Sequence, residues 1–142
     1  SWLKIHRGRL INFRGITVTN NKRCAEDWIK KVVRDKVGFS ANQKRLAWNH
    51  NTGAMAVNLA VLLGAKKIYL LGFDMKLESK RGDANWFRNE KDKPNAQSYP
   101  RFLSGFEHVK AGVKQAGVEV VNTNPNSAME CFPKVKLNDV LA

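Results

Sequence analysis

The clearest pattern of apolar and polar positions in this chain lies in residues 51–75. Within residues 54–63 every residue except Asn58 is apolar, which predicts a helix covered on most of its sides. Gly64 is a natural end for that helix, and residues 68–73 form an unbroken apolar run. Such a run is typical of a parallel strand covered on both faces. The stretch therefore predicts half of a nucleotide-binding type of α/β unit.

Polar residues mark both ends of this unit. Asn51 or Thr52 can cap the helix by accepting a hydrogen bond from an unpaired backbone N–H, and Gly53 lets the chain or a ligand approach closely. Asp74 comes directly after the strand. Because open α/β sheets bind their ligands at the carboxyl ends of the strands, Asp74 is a candidate site residue.

The rest of the chain continues the alternation of strands and helices. The pattern predicts a strand at 16–19, an amphipathic helix at 25–34, a short strand or turn at 45–48, a helix at 100–116, a strand at 118–122, a short helix at 128–131 and a helical turn at 137–141. This order favours a mainly parallel sheet and an α/β class. The length predicts a single domain over residues 1–142.

One segment, residues 76–97, shows no periodicity. It holds 22 residues rich in charge and turn formers, and a loop of this length is usually functional or disordered. Trp86 and Phe87 lie in its middle, where large apolar groups are unusual. They either close a lid over a ligand, anchor a partner chain, or become buried as the loop folds back.

The charge balance changes the expected partners. The net charge is +13 and the pI is about 10.1, which implies attraction to nucleic acid, nucleotide phosphates or an anionic surface. The first acidic residue is Glu26, so the basic residues before it are unopposed in sequence; the candidate polyanion contacts are Lys4, Arg7, Arg9 and Arg14. The alternative is a solvated face that keeps the protein soluble.

Cysteine and histidine spacing limits the chemistry. Cys24 and Cys131 form neither a metal-ligand motif nor a disulfide framework, which favours a reduced, cytoplasmic protein. No apolar run approaches the roughly 20 residues that cross a bilayer, so no membrane partner is expected. The histidines form no HxH or HxxxH pair, so no bound transition metal is expected. His50, beside the capping turn, is the preferred general base; the alternative is a loop residue bonded to backbone.

The order of motifs resembles a known superfamily. NTGAMAVNLAVLLGAKKIYLLGFDM, a polar loop, a helix, VEVVNTNPNSAM and FPKVKLNDVL are similar to the C-terminal half of a Rossmann-like superfamily. Its members include bacterial sialyltransferases, 6-hydroxymethylpterin diphosphokinase-like proteins and uncharacterised phage-encoded proteins. The sequence pattern of this chain is most similar to that of the phage-encoded group. The resemblance covers residues 53–141, and residues 2–19 more loosely. It implies a three-layer Rossmann-like fold with a mainly parallel sheet, and the host cytoplasm if the chain is phage-encoded.

The resemblance also implies a ligand crevice at the carboxyl edge of the sheet. The corresponding residues for nucleotide or substrate binding are Thr52, Gly53, Gly72, Asn126 and Ser127, with Asp74 at the strand end and Tyr99 where related transferases hold a donor phosphate. The structural alternatives are helix caps, a packing glycine and turn formers.

Two features depart from the superfamily. No Gly-rich phosphate-binding turn precedes Trp2, so the N-terminal β-α part of the fold is either missing from the chain or not used. The position of the sialyltransferase catalytic histidine falls near Pro100, where there is no histidine.

Three functions from different classes are expected. The first is a sialyltransferase-like protein that binds a nucleotide or nucleotide-sugar and transfers a glycosyl group, or acts as a diphosphokinase, with His50 and Asp74 as catalytic residues. The second is a non-catalytic nucleotide-binding module. The third is a nucleic-acid-binding or phage assembly protein that uses its basic N-terminal face.

Overall fold

The computed structural model describes residues 2–76 and 97–141, with residues 2–4 described through their backbone alone. The candidate lid predicted at 76–97 therefore lies outside the described residues except for its two ends. Trp86 and Phe87 lie outside them as well.

The described residues form a mixed α/β structure with four helices and six short strands. The elements in chain order are α1 Trp2–Ile11, β1 Val18–Thr19, β2 Lys30–Lys31, β3 Val33–Asp35, β4 Arg45–Ala47, α2 Thr52–Leu62, β5 Lys67–Leu70, α3 Ser98–Gln115, β6 Glu119–Asn122 and α4 Asn138–Leu141. The strands pair in parallel as β1 with β2, β3 with β4 and β5 with β6. The predicted α/β class and the parallel pairing are confirmed at this level.

Residues 30–35 are extended, so the helix predicted at 25–34 is wrong. Lys30 and Val32 donate their backbone N–H groups to Thr17 and Thr19, both at 2.9 Å, which pairs this segment with β1. Its second half pairs with β4, from Val33 opposite Arg45 onward. The apolar spacing of the segment fits a helix, but the β-branched valines and the available partner strands favour extended backbone.

Strand β5 pairs with β6 along its whole length. Leu70 is 3% exposed and belongs to the core, whereas Tyr69 is 39% and Leu71 58% exposed. The prediction that both faces of this strand are covered is therefore wrong for the described residues. Alternate side chains of a strand point to opposite faces, and here the described core lies against one face alone.

The main core forms where α3 packs on α2 and β6. Its largest fully buried side chains include Phe106, Met129 and Val109. Gly105 and Gly112 face this side of α3, where an added Cβ would clash with Asn49 and Phe39. The close approach of α3 to the segment before α2 therefore depends on two glycines.

Asn58 is the polar exception in the apolar run of α2, and it is fully buried. Its side-chain oxygen accepts hydrogen bonds from the N–H groups of Ser40, at 3.0 Å, and Ala47, at 3.2 Å. Its side-chain nitrogen donates to the carbonyl of Ser40 at 2.9 Å. One amide therefore connects α2 to the segment that leads into β4 and to β4 itself.

The two ends of the chain contribute short helices. The helix predicted at 128–131 is wrong, while the predicted last helical turn is confirmed as α4.

Helix α1 is held to the rest through Arg7, whose Nε donates to Glu26 at 2.9 Å. That hydrogen bond lowers the pKa of Glu26 from its usual value, assisted by a second bond from Trp28. None of the described helices has the length and apolarity required to span a bilayer.

Candidate ligand-binding site

The N-terminal turn of α2 is closed by protein groups. Asn51 is the cap, because its side-chain oxygen accepts from the N–H groups of Gly53, at 2.8 Å, and Ala54, at 3.2 Å. Its side-chain nitrogen donates to the carbonyl of Phe102 at 2.8 Å. Thr52 is exposed. Two N–H groups that would suit a ligand phosphate are therefore already bonded within the protein.

Gly53 allows a close approach of the chain to itself. A Cβ at this position would clash with the ring of Phe73 and lie 3.1 Å from that of Phe106. The two rings pack edge to face with centroids 5.6 Å apart. Of the two roles predicted for this glycine, the structure supports the packing one directly.

The strand ends of β5 and β6 meet, as the sequence predicts for parallel neighbours. The backbone carbonyl of Asp74 accepts from the N–H of Ala128 at 2.9 Å, and its carboxylate accepts from the side-chain amide of Asn124. Gly72 has a φ of 73°, in the left-handed region. This geometry brings Gly72 and Asp74 close to the turn that follows β6.

That turn is held by its own hydrogen bonds. Ser127 is buried, donates its hydroxyl to the carbonyl of Phe73 at 2.6 Å, and accepts from the N–H of Met129 at 3.0 Å. The N–H of Asn126 donates to the side chain of Asn124 at 2.9 Å, and Asn126 itself is exposed. Ser127 therefore stabilises the turn, whereas Asn126 presents its side chain to solvent.

Tyr99 stands at the start of α3. Its ring is half-buried and packs edge to face against Phe102, with centroids 6.3 Å apart. Only Gln97 and Ser98 separate it from the residues that the structure leaves undescribed, and its predicted contact with a donor phosphate stays a prediction.

His50 belongs to an unusual turn before α2. Asn49 and His50 have φ values of 42° and 52°, both in the left-handed region. Asn49 is buried and exchanges two hydrogen bonds with the backbone of Gly38, at 2.7 and 2.8 Å. This turn leaves His50 exposed with its ring centroid 4.2 Å from that of Trp48.

Arg34 extends this row of rings. Its guanidinium carbon lies 4.2 Å from the centroid of the Trp48 ring, a cation–π contact. Arg34 lies within β3 and Trp48 directly follows β4, so the pairing of these strands, with Asp35 opposite Ala47, brings the two residues together. Arg34, Trp48 and His50 therefore form a continuous row of contacts at the end of these strands.

A cavity of about 520 Å³ opens beside this row. The described residues that line it are Asn20, Asn21, Lys22, Arg23 and Arg34. Asn20 follows the end of β1, and its side-chain nitrogen lies 3.1 Å from the sulfur of Met55, in the first turn of α2. The cavity therefore lies at the carboxyl end of β1, close to the N-terminus of α2.

The turn after β1 presents two cations side by side. Asn21 receives the N–H of Arg23 on its side-chain oxygen at 3.0 Å and donates its own N–H to the hydroxyl of Thr19 at 3.2 Å. Cys24 then turns inward and is buried. Lys22 and Arg23 are exposed as a result.

The electrostatics of the described lining are one-sided, with three cations, two amides and no carboxylate. Of the acids near these cations in sequence, Asp27 is exposed, whereas Glu26 and Asp35 have partners of their own. Glu26 binds Arg7, and Asp35 lies 3.7 Å from Arg45 and accepts the N–H of Lys36. An anion is therefore the ligand that this lining suits.

Sequence reasoning placed the site elsewhere, although one signal was available. Asn20, Asn21, Lys22 and Arg23 follow the strand predicted at 16–19, just as Asp74 follows its own strand. The same strand-end rule applied there would have found them. Arg34 is the last residue of the helix predicted at 25–34, and only the pairing of β3 with β4 reveals its contact with Trp48.

The other predicted binding groups are spread over the surface. Arg9 and Arg14 are exposed, Arg7 is paired with Glu26, and the side chain of Lys4 lies outside the described residues. Within residues 2–76 and 97–141, no three His, Cys, Asp or Glu residues are grouped to hold a metal ion.

In comparisons with known proteins, no family model, curated protein or solved structure matches this chain. What the protein does is therefore inferred from its own residues.

Proposed function

We propose that the protein binds a nucleotide or nucleotide-sugar at the carboxyl ends of its parallel strands. The observation that carries this proposal is the cavity of about 520 Å³ beside the first turn of α2, with Lys22, Arg23 and Arg34 in its lining. Its volume is within the range of about 300–1,000 Å³ that is common for small-molecule sites. Its charge favours a phosphate-bearing ligand over a neutral one.

The proposed fold is a three-layer Rossmann-like arrangement in which the parallel pairs belong to one sheet. Residues 30–35 support it, because they pair with β1 at one end and with β4 at the other. The packing of α2 on β4 and α3, and of α3 on β6, also supports it. In such folds the ligand lies outside the carboxyl ends of the strands, which is where the cavity lies.

The proposed reaction is glycosyl transfer from a nucleotide-sugar donor by a sialyltransferase-like fold. An acceptor hydroxyl attacks the anomeric carbon of the donor sugar, and the bond from that carbon to the phosphate oxygen breaks with its electron pair going to the phosphate. His50 accepts the hydroxyl proton as general base. The cations of the cavity stabilise the charge on the departing phosphate. Asp74 contributes by holding Asn124 and the turn after β6.

A nucleotide thermal-shift screen tests the binding proposal. Ligand at 100 times its Kd stabilises the folded protein by about 2.7 kcal/mol, so the melting temperature should rise with CMP, CDP, ATP or a sugar nucleotide. Arg34→Ala should remove the shift. Arg101→Ala is the matched control, since the Arg101 guanidinium also makes a cation–π contact, 5.6 Å from the centroid of the Phe102 ring, but does not line the cavity. No shift with any nucleotide would rule out the proposal.

Turnover is tested separately from binding. Donor hydrolysis should fall in His50→Ala while the nucleotide thermal shift persists. Equal hydrolysis above the uncatalysed rate in the wild type and in His50→Ala would remove His50 as general base. No hydrolysis above the uncatalysed rate by the wild type would leave a non-catalytic binding module.

The alternative function that a separate observation supports is binding of nucleic acid. It is favoured by the net charge of +13 and by the exposed Arg9 and Arg14 near the N-terminus. Such binding depends on counterion release, so its affinity should fall steeply with salt. Filter binding to DNA and RNA at 50 and 200 mM salt measures this, and absent or salt-independent binding would remove the alternative.

A further inference from the structure

Arg34 has the geometry of a fixed anion anchor. Its guanidinium lies over the Trp48 ring at 4.2 Å, and its residue lines the cavity. The N–H donors of a guanidinium lie in the plane of the group, so a cation–π contact leaves donors for a ligand. A guanidinium held in this way is already ordered before the ligand binds. It can therefore donate two parallel hydrogen bonds to a phosphate at a lower entropy cost than a freely rotating side chain.

The other two cations stand on a separate element. Lys22 and Arg23 belong to the turn after β1, whose shape is set by the hydrogen bonds of Asn21. The lining therefore offers positive charge from two elements, β3 and this turn. A single phosphate carries at most two charges, and two linked phosphates can contact both elements together.

We infer that the cavity is a diphosphate site, with Arg34 as its anchor and Lys22 and Arg23 as contacts to the second phosphate. This inference rests on the proposed nucleotide-binding function and narrows its ligand class. The ligand is a nucleoside diphosphate or its sugar ester, in preference to a nucleoside monophosphate or a sugar ester of one.

Trp48 acts as a positioning residue because it orients Arg34. Its ring supplies the surface on which the guanidinium lies, and His50 packs on the same ring. Lysine at position 34 would keep the charge but lose the planar pair of donors and most of the stacking. Phenylalanine at position 48 would keep an aromatic face, whereas leucine would remove it.

Isothermal titration calorimetry on the full chain tests the ligand class. The probes are a nucleoside, its monophosphate and its diphosphate, followed by inorganic phosphate and inorganic pyrophosphate. We expect the diphosphate to bind at least about tenfold more tightly than the monophosphate, a difference of about 1.4 kcal/mol. Pyrophosphate should compete with the diphosphate, and inorganic phosphate should compete weakly.

The variants test the anchor. Arg34→Lys should weaken diphosphate binding about tenfold or more. Arg101→Lys, at the other arginine with a cation–π contact, should stay within about twofold of the wild type. Trp48→Leu should weaken binding, and Trp48→Phe should restore most of it. Circular dichroism melting curves of the same variants identify any loss that comes from unfolding. Arg34→Lys with wild-type affinity would overturn the role of Arg34.

The outcomes separate this inference from the proposed function. Equal affinities for the nucleoside, monophosphate and diphosphate overturn the diphosphate site and leave nucleotide binding in place. If pyrophosphate binds as tightly as the nucleoside diphosphate, the diphosphate site is supported and the proposed nucleotide ligand is ruled out. No binding of any probe overturns both. An oligonucleotide that binds more tightly than the diphosphate, and loses affinity in Arg34→Lys, would identify backbone phosphates as the ligand and overturn the diphosphate assignment.

Discussion

Replacing Asn58 by alanine tests the buried connection between α2 and the segment around β4. The native side chain satisfies three backbone groups, namely the N–H and the carbonyl of Ser40 and the N–H of Ala47, at 2.9 to 3.2 Å. Alanine has no side-chain amide, so all three backbone groups lose their hydrogen-bond partner at once. Because Asn58 is fully buried, bulk water cannot replace them without entering the core.

The expected loss of stability is about 3–4 kcal/mol. A buried backbone group left unsatisfied costs about 1–3 kcal/mol, which places three such groups at about 3 kcal/mol or more. Two effects hold the loss near the lower end of that range. One water can occupy the vacated space if two or more polar partners surround it, and alanine is a better helix former than asparagine by roughly half a kcal/mol.

Urea unfolding followed by circular dichroism measures the loss. Asn58→Ala should lower the denaturation midpoint at an unchanged slope, because a change of stability alone moves the midpoint. Asn42→Ala is the matched control, since Asn42 is exposed and its side chain accepts one hydrogen bond, from the N–H of Lys44 at 2.9 Å. The control should lose less than about 0.5 kcal/mol. Equal midpoints for the two variants would refute the reasoning about buried polar partners.

Three further predictions concern other parts of the chain. Gly112→Ala should destabilise by about 1–3 kcal/mol in urea melts, because its Cβ would clash with Phe39, whereas Gly8→Ala, in open space on α1, should be neutral or stabilising; equal effects would contradict this. Burial raises the pKa of Cys131 to about 12, so Ellman's reagent at pH 8 should react with it only after unfolding, and rapid native reaction would be inconsistent with the packing. The hydrogen bond that Glu26 accepts from its arginine partner lowers the pKa of this carboxyl group. The ionised carboxylate therefore holds α1 at neutral pH, and this attachment is lost as the pH falls through the lowered pKa. Hydrogen-exchange protection of α1 should therefore drop in acid, and in Glu26→Gln already at neutral pH; constant protection would disprove the attachment.

The part of the fold that local sequence predicts well is the α2–β5 unit. An apolar run with a cap residue before it and Gly64 after it has one consistent interpretation, and Gly64 indeed has a φ of 91°. The segment 25–34 was harder, because its apolar spacing fits a helix while its hydrogen-bond partners, Thr17 and Thr19, lie outside the local pattern. Strand pairing between distant residues decided that segment.

In the candidate site, too, some features follow from local sequence and others depend on the pairing of distant residues. The turn from Asn20 to Arg23 was accessible to sequence reasoning, since polar residues directly follow a predicted strand. The contact of Arg34 with Trp48 was not, because it arises from the register of β3 against β4. The partners of Asn58 were hidden for a related reason, because they come from chain segments 11 and 18 residues away.

The left-handed turn at Asn49 and His50 has a consequence for laboratory evolution of this protein. Glycine adopts such φ values at no steric cost, and asparagine, aspartate and histidine are the other residues enriched there. His50→Asn should therefore keep or raise the melting temperature while removing the imidazole. If His50 has its proposed role as general base, a library selected for turnover would retain the histidine, whereas one selected for heat resistance alone would not require it. The residue recovered at position 50 would then report which of the two properties was selected.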